Sequence, residues 1–372
     1  MGARNRSRWQ RVKAGQQWEA SGLAALAGPG PLERDYPARI HALLDPLNAR
    51  RARLRLPPLD FRLFTMRAHA MALKWRGDTS ANGSCLMLTA RDGTIALNLA
   101  RDEDREMLPA LFESDVPMTA DTMRALAVER SAVDLIERGR LLSLPVARFE
   151  EAAATPLEKA RDVGPRGQAR PSPLVVNLAS LWAGPLCARL LGDMGARVIS
   201  VEAVQRPDRS RRSCASLFDY LHAGCDRLVL DFEDGVDIAR LRALLMSADV
   251  VIEGSRPAAL ERKGIFAREI VAGGEGRVWV SITAYGRTGQ SGTRVGFGDD
   301  AAVATGLCSR DRGGRPCFIG DAIADPLTGI AAANAVLDAR DGGGGVLLDV
   351  PLAGAAAFVA SAPLLALREV AA

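Results

Sequence analysis

The chain has 372 residues, 48% of them hydrophobic and 25% charged, with a mean hydropathy of +0.02, a size and composition that suit two globular domains with sizeable cores. A net charge of +4 dispersed among 44 acidic residues argues against a nucleic-acid face, although 44 of the 48 basic residues are arginine, the cation suited to phosphate. Six cysteines without a Cys-x-x-Cys pair, and three histidines, argue against a zinc site or a disulfide framework.

Arg4, Arg6, Arg8, Arg11 and Lys13 read as a loose basic tail, with no apolar signal core behind them. Trp18 to Pro31 reads as a short helix closed by Gly and Pro. An amphipathic helix is expected over Pro37 to Leu54, with Ile40, Leu43, Leu44 and Leu47 on one stripe. Cys85 to Thr89 and Thr94 to Asn98, either side of an Arg-Asp-Gly turn, form a β-hairpin. Helices follow over Asp102 to Leu111 and Asp121 to Leu142. Lys159 to Pro173, rich in Pro, Gly and charge, reads as a linker.

The second half opens on Leu174 to Asn177, a β-branched run. A helical pattern follows, starting at Ala183-Gly184-Pro185 and ending at Gly195, and Arg197 to Glu202 is a second such run. This strand-helix-strand unit implies a parallel sheet in an α/β fold, Rossmann-like and doubly wound, beside a smaller α+β domain. No G-x-G-x-x-G turn accompanies it, so the nicotinamide and flavin fingerprint is missing. Further strands are expected at Arg227 to Asp231, Ala248 to Glu253, Val278 to Thr283 and Val346 to Val350. Arg206, Arg209, Arg211 and Arg212 follow the second strand, where they either hold phosphates or make a solvated loop. Asp299 and Asp300 read as helix caps, Asp325-Pro326 as a helix start, and the four glycines from Gly342 as a connector. Leu352 to Leu367 is too short to span a membrane comfortably and Pro363 interrupts it, so a buried terminal helix is expected.

The Ala-Gly-Pro helix start, the Leu191-Gly192-Asp193-Met194-Gly195-Ala196 helix end and Val198-Ile199-Ser200-Val201-Glu202 resemble the opening of the family III CoA-transferases, the CaiB/BaiF group. Ala324-Asp325-Pro326-Leu327-Thr328-Gly329 resembles that family's Ala-Asp-x-x-x-Gly motif, whose Asp is the nucleophile. Asp321 is the rival carboxylate, with a spacing to Gly329 that fits the motif less well. The resemblance implies a transfer of coenzyme A between an acyl-CoA and a small carboxylic acid, with Asp325 catalytic and the CoA held by Ala183, Gly184, Pro185, Arg206, Arg227 and Arg256. It also implies a homodimer of the intertwined kind typical of the family, no tightly bound cofactor, no metal and a cytoplasmic protein. A carboxylate at a helix start is stabilised as the anion, the form able to attack a thioester.

The family's small domain, which lies late in the usual order, resembles residues 60–158 here. The expected organisation is therefore a helical segment over 1–59, a small α+β domain over 60–158, a linker over 159–173 and the CoA-binding and catalytic domain over 174–372. The alternative is an unrelated N-terminal module. Three departures stand out: Cys225-Asp226 replaces the usual Lys-Arg pair, Phe297 and Gly298 replace the His and Asp of the racemase branch, and the catalytic glycine loop is not evident. An acyl-CoA racemase and a catalytically reduced CoA-binding subunit are the competing readings.

Overall fold

The computed structural model describes residues 3–30, 32 and 34–361. The first half opens with helices α1 (Ala3–Ala20), α2 (Tyr36–Arg53) and α3 (Met66–Ala70). The residues expected as a loose tail thus belong to α1, and what was expected as a helix over Trp18 to Pro31 is the end of α1 followed by turns. Asp35 caps α2, its carboxylate accepting from the Ala38 amide. Next come β1 (Cys85–Ala90) and β2 (Gly93–Asn98), helices α4 (Asp102–Glu106), α5 (Leu108–Phe112), α6 (Ala120–Val128) and α7 (Ala132–Leu141), and strand β3 (Val146–Arg148). The hairpin forms as expected, Ala90 pairing with Gly93 across the turn, and β3 adds antiparallel to β2. Each of the two long helices expected here is split. Pro109 lacks the amide that would continue α4 into α5, and Ser131 caps a new start for α7.

The rest of the chain runs β4 (Lys159–Asp162), β5 (Leu174–Asn177), α8 (Ala183–Asp193), β6 (Arg197–Ala203), α9 (Ser210–Ser213), α10 (Ala215–His222), β7 (Asp226–Leu230), α11 (Gly235–Ser247), β8 (Val250–Glu253), α12 (Pro257–Glu261), α13 (Ala267–Ala272), β9 (Val278–Ser281) and α14 (Gly298–Ala304). A two-rung ladder of β10 (Ser309–Arg310) and β11 (Pro316–Cys317) then precedes α15 (Ala324–Asp341), β12 (Val346–Asp349) and α16 (Leu352–Ala360). The remainder of the expected terminal helix lies outside the described residues.

Seven strands form the large sheet in the order β4-β12-β9-β8-β5-β6-β7. All neighbours are parallel except β4, which runs antiparallel to β12. The six parallel strands have the doubly wound order, reversing direction between β5 and β8. Within the stretch read as a linker, Lys159–Asp162 therefore supplies the sheet's edge strand. Its four side chains are all exposed, which suits a charged edge.

Alternation along the strands sends their residues into two cores. Val175, Val250, Ile252, Val278, Val280, Val346 and Leu348 meet α8, α15 and α16 on one face, together with Trp18, Tyr36, Ile40, Leu44 and Leu47 of the N-terminal helices. Val176, Val201, Val251, Trp279 and Leu347 meet Leu241, Leu245, Ile270 and Val271 on the other. The three-stranded sheet and its helices bury a separate core running from Leu86 to Val146. Two smaller clusters join it to the second half: Cys85, Met87 and Ala96 pack with Val303, Cys308 and Phe318, and Ala147 packs with Ala284, Tyr285 and Ala304.

The glycine run is the expected connector. Gly344 has φ +64°, and a Cβ there would lie 2.1 Å from the carbonyl oxygen of Gly276, so both its conformation and its contact require glycine. Among the described residues no helix is long and apolar enough to cross a membrane.

Candidate active site

The turn Gly320-Asp321-Ala322-Ile323 leads into α15 and carries Asp325 in the helix's first turn. Ala322 adopts φ +47°, a left-handed conformation unusual for a residue with a side chain. Four carboxylates converge here. Asp321, Asp299 and Asp300 are 0%, 2% and 0% exposed, and Asp325 alone keeps partial exposure. Gly298 lies directly against it, since a Cβ built at 298 would be 2.9 Å from Asp325 Cγ.

Each buried carboxylate has its own partners. The Arg67 guanidinium of α3 grips Asp321 through both oxygens, Nε to Oδ2 at 2.7 Å and Nη2 to Oδ1 at 2.6 Å. Asn82 Nδ2 donates to Asp321 Oδ1 at 3.0 Å and Asp299 Oδ2 at 3.2 Å. Asp299 Oδ1 accepts from the Ala322 amide at 2.9 Å. Asp300 accepts from Asn98 Nδ2 and the Phe297 amide at one oxygen, and from the Tyr285 hydroxyl at the other. Asp300 is thus a helix cap, as expected; Asp299, expected as a cap too, instead holds the Ala322 amide, and both belong to a network shared with the first half of the chain.

The helix start does not keep Asp325 anionic in the way its position suggests. Burial, reinforced by the charges of Asp299, Asp300 and Asp321, outweighs the pull of Arg67 and lifts its pKa to about 8. Loss of hydration likewise lifts Asp299 to about 6 and Asp300 to about 7. Burial opposes the charge of Arg67 too, but its hydrogen bonds to Asp321 and the surrounding carboxylates hold it above the ordinary arginine range.

A stability prediction follows from Asp300. The folded state retains a proton that the unfolded chain releases above about pH 4, so this contribution is complete below that pH and is lost as pH rises through about 7. Asp300→Asn, which removes the titration, is expected to flatten the decline between pH 5 and 8 and to stabilise the fold at pH 8 by on the order of 2 kcal/mol. Urea unfolding of both proteins at the two pH values measures it; equal slopes against pH would refute it.

The six expected CoA contacts lie on the adjoining sheet. Ala183, Gly184 and Pro185 form the buried first turn of α8, and Gly184 sits against Ala179 of the β5–α8 loop. Gly254, after β8, touches the same Ala179, so the loops following β5 and β8 meet where the strand order reverses. Arg256 is exposed there at the start of α12, and Arg206 is exposed after β6. No hydrogen bond or ion pair occupies either guanidinium among the described residues. Their neighbours are engaged, Arg209 with Glu103 and Arg211 with Glu202. Arg227 instead lies within β7, in register with Ser200, with its guanidinium over the Phe218 ring.

A cavity of about 270 Å³ is lined by Pro185, Asn177, Ser200, Arg189, His222 and Cys225, among others, so the departure at Cys225 faces it. A second, of about 360 Å³, lies between β4, α12 and the loop after β9, with Lys159, Arg161 and Arg287 on its wall. Asp325 lines neither cavity. Its helix meets the α8 start one turn later: a Cβ on Gly329 would lie 2.8 Å from the Ala183 carbonyl oxygen. Sequence reading missed Arg67, Asn82, Asn98 and Tyr285. Nothing local distinguishes Arg67 among so many arginines, whereas the Ser80-Ala81-Asn82-Gly83-Ser84 turn before β1 was the one available signal. Among the described residues no group of His, Cys, Asp and Glu is arranged to hold a metal ion.

Residues 173–369 match the family model for CoA-transferase family III. Among curated relatives, an acyl-CoA transferase of Fusarium pseudograminearum is 28% identical over 192 residues, covering 46% of this chain and 42% of that protein. A succinyl-CoA–D-citramalate CoA-transferase of Chloroflexus aurantiacus is 28% identical over 200 residues, 49% of this chain and 50% of its own. A succinate–glutarate CoA-transferase of Agrobacterium fabrum is 29% identical over 177 residues, 44% of each. The chain spans half or less of the length of these three relatives. A crystal structure of a CAIB/BAIF family protein from Brucella suis aligns at 28% identity and a TM-score of 0.46, covering 55% of this chain and 58% of that one.

Proposed function

Because the chain belongs to CoA-transferase family III, we propose that it transfers coenzyme A from an acyl-CoA thioester to a small carboxylic acid, with Asp325 as the nucleophile. The observation that carries this reading is the placing of Asp325: of four converging carboxylates it alone is not fully buried, and it stands at the family motif's position. Its desolvation favours the reaction once it ionises, because a poorly hydrated carboxylate is a stronger nucleophile.

In this reading the Asp325 carboxylate attacks the thioester carbonyl carbon. A C–O bond forms, the C–S bond breaks, and CoA leaves as thiolate from an acyl-aspartyl anhydride. The thiolate then attacks the Asp325 carbonyl carbon, giving an aspartyl-CoA thioester and releasing the donor acid. The acceptor carboxylate repeats the sequence in reverse, which frees Asp325 and returns CoA as the new thioester. No proton is consumed, and each step exchanges one acyl bond for another. Arg256 at the reversal of strand order and Arg206 in the loop after β6 hold phosphates of CoA, with the backbone of Ala183, Gly184 and Pro185 beside its thioester end and Arg227 farther out. Residues 60–158 serve as the family's small domain placed ahead of the catalytic part, and two copies form the homodimer.

Incubation with a panel of acyl-CoA thioesters, followed by hydroxylamine and mass spectrometry, tests the reading, with Asp325→Ala as control. A hydroxamate on Asp325 is expected from at least one donor. None from any donor, with CoA still bound, would return the chain to the racemase or binding-subunit reading.

A further inference from the structure

The residues that match the family model begin at 173, yet the cation acting on Asp325 is Arg67. We propose that Arg67 and Asn82, both from the first half of the chain, are positioning residues that hold the Asp321–Asp325 turn in its reactive arrangement, so that neither half builds the site alone. This rests on the reading of Asp325 as nucleophile.

The geometry supports it at three points. Arg67 forms a two-bond fork with the fully buried Asp321, at the head of the turn, and its guanidinium carbon lies 5.2 Å from the centre of the Trp182 ring at the start of α8. The same arginine thus bonds the nucleophile's turn and lies over the ring of the residue that precedes the expected CoA helix. Asn82 bridges Asp321 to Asp299, and Asp299 in turn holds the amide of Ala322, the residue in the strained left-handed conformation. A turn with such a residue persists only when its surroundings over-determine it. Here Asp299 supplies the bond to Ala322 itself, while the first half of the chain holds the neighbouring Asp321 through Arg67 and Asn82 and the Gly320 amide through the Leu26 carbonyl oxygen.

Charge points the same way. Asp325 is faced by Arg67 from α3, by Asp299 and Asp300 from α14, and by Asp321 from its own turn. Behind Asp299 and Asp300 lie Cys85 of β1 and the Tyr285 hydroxyl, both held protonated by burial, and Arg294 sits over the Tyr285 ring. Of the charges that act most strongly on Asp325, that of Arg67 is the one that lowers its proton affinity.

The test uses Arg67→Gln, which loses both charge and fork, Arg67→Lys, which keeps the charge, and Asn82→Ala. Infrared titration of the Asp325 carboxylate, isolated by subtracting the Asp325→Asn protein, reads its ionisation; hydroxamate trapping across pH 6 to 10 reads its reactivity. In Arg67→Gln the titration is expected to move upward by about one pH unit, and trapping to fall at least roughly tenfold at pH 7 and to recover only in part above pH 9, because the fork is lost along with the charge. Arg67→Lys is expected to shift the titration less and to slow trapping at every pH, because the fork is lost. Asn82→Ala is expected to slow trapping several-fold. Folded Arg67→Gln with an unmoved titration and pH profile overturns the assignment of Arg67, and unchanged trapping in Asn82→Ala overturns that of Asn82. Should Arg67→Gln fail to fold, the lysine variant decides: wild-type trapping at all pH values would refute the fork's role. A wild-type protein that is never trapped refutes the transferase reading, while the infrared titration still decides whether Arg67 governs Asp325.

Discussion

Asp325→Asn is expected to lower the rate of CoA transfer by at least on the order of a thousandfold, since a carboxamide neither attacks a thioester usefully nor forms the anhydride. Transition-state stabilisation of about 4 kcal/mol is lost at that ratio. The same substitution removes a partly desolvated group whose folded proton affinity is raised to about 8. The folded state's advantage from that group is lost as pH rises through about 8, so the variant should unfold at the same or a higher temperature than the parent at pH 8.5. Loss of transfer with retained or improved stability separates a chemical role from a structural one. Transfer within tenfold of the parent would exclude Asp325 as nucleophile and bring forward Asp321, although its burial and its fork with Arg67 leave it poorly placed to attack.

Gly329→Val should produce the second large effect, on stability and CoA affinity together. Helix α15 lies so close to α8 at this point that a Cβ would be 2.8 Å from the Ala183 carbonyl oxygen and 2.9 Å from Leu186 Cβ. The Ala183 oxygen is backbone and cannot rotate away, so the helices must part. Overpacking of this kind costs about 3 kcal/mol, which for a chain of this size corresponds to a fall in melting temperature of roughly 5 °C. Parting the helices also displaces the α15 start, which carries Asp325, relative to Ala183, Gly184 and Pro185, and CoA binding should weaken with it. An unchanged melting temperature would mean that the two helices are not held at this distance in solution.

Much of the second half was legible in the residue pattern. Val175-Val176, Val198-Ile199 and Val250-Val251-Ile252 are β-branched runs bounded by helical periodicity, and each lies in the parallel sheet. Cys225-Asp226 was identified as a departure, and Cys225 lines a cavity with Pro185. The first half was read less well. Met107-Leu108-Pro109 and Glu129-Arg130-Ser131 interrupt helices that hydrophobic spacing alone joined together, because a proline and a serine cap act on backbone amides and not on the apolar stripe. Lys159 to Asp162 has the composition of a linker, and becomes a strand only because β12 offers it a free edge.

The sequence by itself determined the alternation of strand and helix, the tight hairpin at Asp92-Gly93, the glycine connector and the carboxylate at the head of α15. These features depend on backbone conformation and on burial repeating along a few neighbouring residues. Tertiary structure decided the proton affinity of Asp325 and the identity of its counter-charge. Desolvation and through-space charge depend on groups brought together from distant parts of the chain, and Arg67 reaches Asp321 across an interval that no local pattern records.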